Sequence, residues 1–343
     1  MSGTGPEAVL RRIAYLLERQ QADSYRVRAF RRAADAAAAV DAEQLEALAA
    51  SGRLQDLPGI GATTAEIISD ALAGRVPPYL EQLEAAPRPA VSPGAERYLS
   101  LLQGDCHAHS DWSDGGSSIR AMAEAARALG HRYLALTDHS PRLTVAHGLD
   151  AGRLRRQLDV VAELNREMAP FRILTGIEVD ILEDGTLDQD PELLAQLDVV
   201  VASVHSKLSM DRRSMTDRML AAIESPHTDI LGHCTGRKVV GRGRRPSEFD
   251  AERIFAACAD TGTAVEINSR PERRDPPPDL LALAVAAGCL FSIDTDAHAP
   301  GQLEWLNLGC EQAADAAVPA ERVVNGWDLE AFLGWTASRS VPG

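Results

Sequence analysis

The sequence predicts an α/β protein, a parallel barrel of seven strand–helix units preceded by a small all-α domain. Three observations predict it. From residue 99 onward, short apolar runs of strand character alternate with runs of helical period. Seven such units in about 240 residues favour a closed barrel over an open sheet. Histidines and acids gather at the ends of those strand runs, where parallel barrels carry their chemistry.

Residues 1–80 form the all-α part. EAVLRRIAYLLERQ places apolar residues at three- and four-residue spacing, the pattern of an amphipathic helix. SYRVRAFRRAADAAAAV predicts a second helix, with Ser24 as its N-cap. In LQDLPGIGATTAEIISDAL, Pro58-Gly59-Ile60-Gly61 predicts a tight turn between two helices, with Ala65 and Ile68 on the packing face of the second. LPGIG followed by AxxI matches the helix-hairpin-helix motif. Its glycines let the backbone approach a phosphate, and the helix that follows offers amides to an anion. Gly59, Ile60 and Gly61 are therefore candidate DNA-backbone contacts; the competing reading is a turn that only packs helices. Residues 81–98, rich in proline and alanine, predict a linker, and residues 99–343 the barrel domain.

Strands are expected in SLLQGDCHAH, YLALTDH, RILTGIEVD, DVVVASVH, TDILGHC, TAVEINS and CLFSIDT, with helices such as SIRAMAEAARALG and LRRQLDVVAELNREM between them. Their ends carry His107 and His109, His139, Glu178, His205, His233, and Asp296 with His298. Imidazole plus carboxylate is a ligand set for zinc, manganese and iron. In HxH on a strand both imidazoles share a face, because side chains alternate. The same rule pairs Asp296 with His298 and points Cys106 away, as packing rather than a ligand. A lone histidine is usually a satisfied core or surface residue; this many at strand ends describe a site for more than one metal ion.

A net charge of −15 argues against non-specific nucleic-acid binding, but two loops are local exceptions. GRKVVGRGRRP follows the His233 strand, and INSRPERRD follows the next. Guanidinium groups match phosphate oxygens bidentately, and Arg237 and Arg270 lie nearest the metal-facing strand ends, so they are the first candidates for substrate contact. Five cysteines without CxxC spacing, no signal-like start and no apolar run long enough to cross a bilayer predict a reduced, cytoplasmic protein.

On LPGIG and SYRVRAFRRAA, residues 8–80 resemble the small N-terminal DNA-binding domain of family X DNA polymerases. Residues 103–310 resemble the PHP (polymerase and histidinol phosphatase) family, a distorted seven-stranded barrel with a trinuclear metal centre. TDHSPRLTVAHGL, VASVHS, MTDRMLAAIESPHTDILGHCTGR and AVEINSRPERRD are most similar to the C-terminal nuclease module of bacterial family X polymerases. The resemblance implies that His107 and His109 bind a first metal, completed by Asp296, with Glu178 bridging to a second held by His205 and His233. Asp114, His139 and His298 would hold the third; many family members carry histidine where Asp114 stands. Nothing between residues 80 and 105 could house a polymerase palm, fingers and thumb, so DNA synthesis is not expected. Lyase-active family X polymerases form a Schiff base through a lysine of the N-terminal domain. Residues 1–80 contain no lysine, so that chemistry has no side-chain amine.

Two or three divalent ions, manganese or zinc with iron as a further candidate, would activate water and clamp phosphate oxygens, which makes the reaction class phosphoester hydrolysis. Glu178, His107, His109 and Asp296 are the expected catalytic group. DNA is the expected partner, in a repair nuclease of 3′–5′ exonuclease or abasic-site type. The alternatives are a small-molecule phosphatase of histidinol phosphatase type and a non-catalytic DNA-binding protein; no membrane role is expected, and the sequence names no protein partner.

Overall fold

The computed structural model describes residues 5–339. The chain divides into two compact units, Met1–Ala90 and Val91–Gly343.

The first unit is a bundle of α1 (Pro6–Arg19), α2 (Ser24–Ala38), α3 (Ala42–Ala50), α4 (Ala62–Leu72) and α5 (Pro78–Ala85). Leu10, Ile13, Leu17, Phe30, Ala33 and Ile68 are buried in one core, each large aliphatic contributing about 1.5–3 kcal/mol by leaving water. Two expectations change here. Ser24 is the first helical residue and Asp23 occupies the N-cap position, without a side-chain cap bond. The stretch read as a linker from residue 81 is helical through Ala85, and Leu80 and Leu83 of α5 enter this same core. Proline at the start of that helix needs no amide partner and has the right φ, so proline content was the wrong guide. The break between the units falls later, after Ala90.

The second unit opens with α6 (Pro93–Leu101), which takes residues 100 and 101 away from the first expected strand. Then follow β1 (Gly104–Ala108), α7 (Ile119–Ala128), β2 (Tyr133–Leu136), α8 (Ala151–Met168), β3 (Arg172–Asp180), a short α9 (Pro191–Leu194), β4 (Val199–Ser203), α10 (Arg212–Ile223), β5 (Ile230–Leu231), α11 (Ala251–Thr261), β6 (Ala264–Asn268), α12 (Pro278–Ala287) and β7 (Leu290–Asp294), with α13 (Leu306–Asp315) and α14 (Leu329–Arg339) last. The seven strands lie in sequence order, each paired parallel to the next. A parallel bridge from Ala108 to Ala297 closes the ring. Every strand position except Arg172, Thr175 and Leu290 is buried, as expected for strands covered on both faces.

Tyr133, Ala135, Leu174, Val201 and Ala264 fill the interior with Cys106, and Val324 and Phe332 join them. Leu174 and Val201 lie four residues before Glu178 and His205 along the chain, so this apolar cluster lies toward the N-terminal side of the clustered histidines. Cys106 is packing, as expected, but by a different route. The β1–β2 register shifts between Asp105 and Ala108, so strict alternation does not hold through this strand.

Candidate metal centre

The six clustered histidines and Glu178 converge at the C-terminal rim of the barrel. Five imidazoles form a closed circuit by ring centroids: His107–His109 at 5.2 Å, His109–His139 at 4.5 Å, His139–His205 at 5.2 Å, His205–His233 at 5.3 Å and His233–His107 at 5.9 Å. His298 lies 4.2 Å from His109. Glu178 projects into this circuit. Its Oε1 faces His233 Nε2 at 2.9 Å and His205 Nε2 at 3.2 Å. Its Oε2 faces His139 Nδ1 at 2.9 Å, His107 Nε2 at 3.4 Å and His109 Nε2 at 3.6 Å. A β-bridge between His139 and Glu178 sets the two side by side.

These contacts lack hydrogen-bond geometry. Nε2 of His107, His109, His205 and His233, Nδ1 of His139 and Oε1 of Glu178 are buried with no hydrogen-bond partner. Burying such atoms unpaired costs about 1–3 kcal/mol apiece, and a shared cation removes that cost for all of them at once. The donors fall into three overlapping groups whose ligand atoms lie within 4.8 Å of one another: His107, His109 and Glu178; His139, Glu178 and His205; and His109, Asp114, His139 and His298. The residues present therefore fit divalent ions. The grouping differs from the expected one by placing His109 in two groups, by joining His139 to Glu178 and His205, and by leaving His233 and Asp296 outside all three, although His233 Nε2 lies 2.9 Å from Glu178 and Asp296 lies 3.6 Å from His109.

Charge follows the same geometry. Burial alone would raise the Glu178 carboxyl, yet His205, His107 and His139 hold it well below the usual range. Burial lowers His107, but Glu266 and Glu178 more than reverse this and raise it well above the ordinary value. Burial, with His298 and His139 nearby, keeps His109 well below it.

Asp296 and His298 lie beyond β7, and Asp296 has φ +53°, so strand alternation does not bring them together. A left-handed turn does, with His298 Nδ1 3.5 Å from Asp296 Oδ1. Asp296 also lies 3.6 Å from His109 Nε2 and accepts from Arg273 Nε at 2.9 Å. Burial opposes its ionisation, but Arg273 and Arg270 hold it well below the carboxylate range. Arg270 Nη1 reaches the Asp296 carbonyl at 2.7 Å and His298 Nδ1 at 2.8 Å. Arg237, expected beside it, points elsewhere: its guanidinium donates to the carbonyls of Arg273 and Arg274.

Sequence reasoning missed three supporting residues. Glu266, fully buried on β6, accepts from His107 Nδ1 at 2.6 Å, the His233 amide at 2.5 Å and Asn268 Nδ2 at 3.2 Å. Asp138 gathers Ser110 Oγ at 2.6 Å, Ser113 Oγ at 2.5 Å and Gln157 Nε2 at 2.6 Å, which pins the loop carrying Asp114. Arg218, 2% exposed on α10, donates to the carbonyls of Ile181 and Ser206 and so ties together the loops after Glu178 and His205. An acid inside the apolar run AVEIN was the available signal for Glu266.

In the first unit, Gly59 has φ +91°, which favours glycine. Ile60 is buried, and its amide bonds Leu57 O at 3.2 Å. The Gly61 amide bonds Thr64 Oγ1 at 2.9 Å. The exposed first-turn amides are thus those of Ala62 and Thr63. A groove of about 440 Å³ beside them is lined by Tyr25, Arg26, Phe30, Gly59, Gly61 and Tyr79, among others.

Residues 105–270 match the PHP domain, and residues 6–76 match a helix-hairpin-helix domain. The chain is similar to DNA polymerase/3′-5′ exonuclease PolX of Bacillus subtilis, 42% identical over 238 residues that cover 68% of this chain and 41% of that protein. It therefore spans less than half the length of that relative. A protein named probable phosphatase from a Thermoanaerobacter species is 27% identical over 233 residues, 64% of this chain and 89% of that one. Among solved structures, the histidinol phosphate phosphatase of Lactococcus lactis, crystallised with zinc, L-histidinol and phosphate, superposes with a TM-score of 0.46 at 18% identity, covering 64% of this chain and 95% of that one.

Proposed function

We propose that this chain, in which one segment matches a helix-hairpin-helix domain and another the PHP domain, is a hydrolase of phosphoester bonds whose substrate is DNA, cut at phosphodiester or 3′-end phosphate linkages in repair. The observation that carries the reading is the union of the two modules in one chain. A small-molecule phosphatase has no use for helix-end amides and a glycine turn suited to a nucleic-acid backbone. The likeness to PolX, a 3′-5′ exonuclease by its name, supports the same reading.

His107, His109 and Glu178 would hold one divalent ion, His139, Glu178 and His205 a second, and His109, Asp114, His139 and His298 a third, with His233 and Asp296 beside them; manganese and zinc suit these donors best. Such ions, when bound, lower the pKa of water and neutralise phosphate charge. The protein's own part is placement. Glu178 spans the cluster through both oxygens, Glu266 holds His107 with Nε2 directed inward, and Arg270 lies at the rim to meet a phosphate oxygen. In the first unit, the amides of Ala62 and Thr63 and the Arg26 guanidinium line one surface for the DNA backbone, while Ile60 serves the core.

The second reading, a phosphatase of small phosphate monoesters, draws on the Thermoanaerobacter relative. One comparison separates them. Full-length protein and a variant lacking residues 1–90 are assayed on 3′-recessed and abasic DNA, on histidinol phosphate and on an activated phosphodiester. The truncation starts after α5, because that helix belongs to the first core. DNA cleavage weakened mainly through KM, with the activated ester unaffected, supports the DNA reading. Rapid histidinol phosphate turnover with negligible DNA cleavage overturns it. DNA binding without any hydrolysis identifies a non-catalytic protein.

A further inference from the structure

The strand-end loop after His233 folds into a small hairpin. Lys238 N donates to Arg244 O at 3.0 Å, Arg244 N returns to Lys238 O at 2.8 Å, and Gly241 and Gly243 turn the chain at φ +70° and +64°. Its tip carries Val239 and Val240, 52% and 58% exposed, the one adjacent pair of exposed large hydrophobic residues among those described. Lys238, Arg242 and Arg245 beside them are exposed and form no ion pair among the described residues, in a chain of net charge −15. The hairpin is also fixed to the metal centre's wall. Val239 N donates to Glu272 O at 2.7 Å, Arg237 Nε to Arg273 O at 3.0 Å, and Arg273 Nε to Asp296 at 2.9 Å.

We propose that this hairpin is a wedge for the end of a DNA duplex, its Val239–Val240 tip parting the terminal base pair and its cations holding the flanking phosphates. The inference rests on the DNA reading above. Its need comes from burial: His109 is fully buried and Glu178 only 1% exposed, so a strand end must leave the stack to reach them. Its chemistry comes from the pairing of an apolar tip with unneutralised cations. Apolar side chains part base steps, and cations replace the counterions of the backbone. A tip built to meet an apolar protein surface would not need the cations.

The test uses full-length protein and the double variant Val239→Ser/Val240→Ser, surface changes that leave the core intact. Cleavage is measured on a blunt duplex, on the same strand unpaired, and on an activated phosphodiester. Binding to a duplex with terminal 2-aminopurine is followed by fluorescence with the metals chelated. Expected are a 2-aminopurine increase with the wild type that the variant loses, and duplex-end cleavage reduced about tenfold or more, with single-strand and ester cleavage unchanged. Arg242→Ala/Arg245→Ala should lower the slope of log affinity against log salt by about 2. Equal effects on paired and unpaired DNA, or unchanged 2-aminopurine on wild-type binding, overturn the wedge while leaving the DNA reading intact. A wild type that neither binds nor cleaves DNA overturns both.

Discussion

Replacing Glu266 with Gln removes a charge and no volume from behind the histidine circuit, and three bonds determine the result. Glu266 accepts from His107 Nδ1, the His233 amide and Asn268 Nδ2, at 2.6, 2.5 and 3.2 Å. Glutamine brings one oxygen and one NH2 group to these donors. With its oxygen toward His107, it sets its own N–H groups against those of His233 and Asn268. Reversed, it presents a donor to Nδ1 and forces the His107 proton onto Nε2, the atom 3.4 Å from Glu178. An imidazole protonated there has no lone pair to give a metal. Either way a buried donor goes unpaired, at about 1–3 kcal/mol, and the partners behind metal-binding histidines carry about 10–100-fold in affinity. We expect zinc and manganese affinity to fall by that factor, with metal-free Tm lowered by a few degrees. Competition with a chelating dye reads the affinity, and far-UV circular dichroism checks the fold. Glu266→Asp should also fail, because its carboxylate is a methylene too short to reach His107 and His233 together. Wild-type affinity in Glu266→Gln refutes the tautomer argument.

Glu178→Gln should lower metal content and hydrolysis by about 100-fold, since both oxygens face imidazoles; elemental analysis finding full occupancy and a normal rate would sink it. Gly61→Val should weaken duplex binding about tenfold without unfolding, because the site has open space and an ordinary φ of −100°. Gly59 at φ +91° cannot test the same point cleanly, since a side chain there strains the turn. The buried Asp229 carboxyl is pushed up to about 7 by burial, against the Val200 amide and Arg339. Its folded pKa exceeds the unfolded one, so its stability contribution is complete below about pH 4 and is lost as pH rises toward 7, by at most about 1.4 kcal/mol per pH unit. Asp229→Asn keeps an acceptor for Val200 N, now at 2.8 Å, and should flatten Tm against pH across that window; an unchanged profile excludes the assignment.

The histidines were legible because each lies at or just past the end of a strand run, and a parallel barrel brings all strand ends to one rim whatever their sequence separation. What stayed hidden depended on direction rather than identity. Glu266 reads as a stray acid in AVEIN until the barrel shows that its face carries His107 one strand ring away. Arg237 and Arg273 are equally basic and both lie in loops that follow strands, yet one binds carbonyls of a neighbouring loop and the other binds Asp296. Loop geometry decides that, and no periodicity encodes it. Composition misled at α5, where two prolines open a helix instead of marking a tether.

Asp296 explains why that difference between arginines matters. One carboxylate, in a left-handed turn beyond β7, touches His109, His298, Arg270 and Arg273. The guanidinium groups that hold it ionised are therefore the same groups that border the rim. Arg237, by bonding the carbonyls of Arg273 and Arg274, ties the loop after His233 to the loop after β6. The two arginine-rich stretches are thus a single braced wall, with Arg270 and Arg273 as its links to the histidine cluster. A substitution at Arg237 acts on this wall through its backbone, whereas one at Arg273 removes a charge from Asp296 directly. Treating the two as interchangeable phosphate ligands would confuse support with contact.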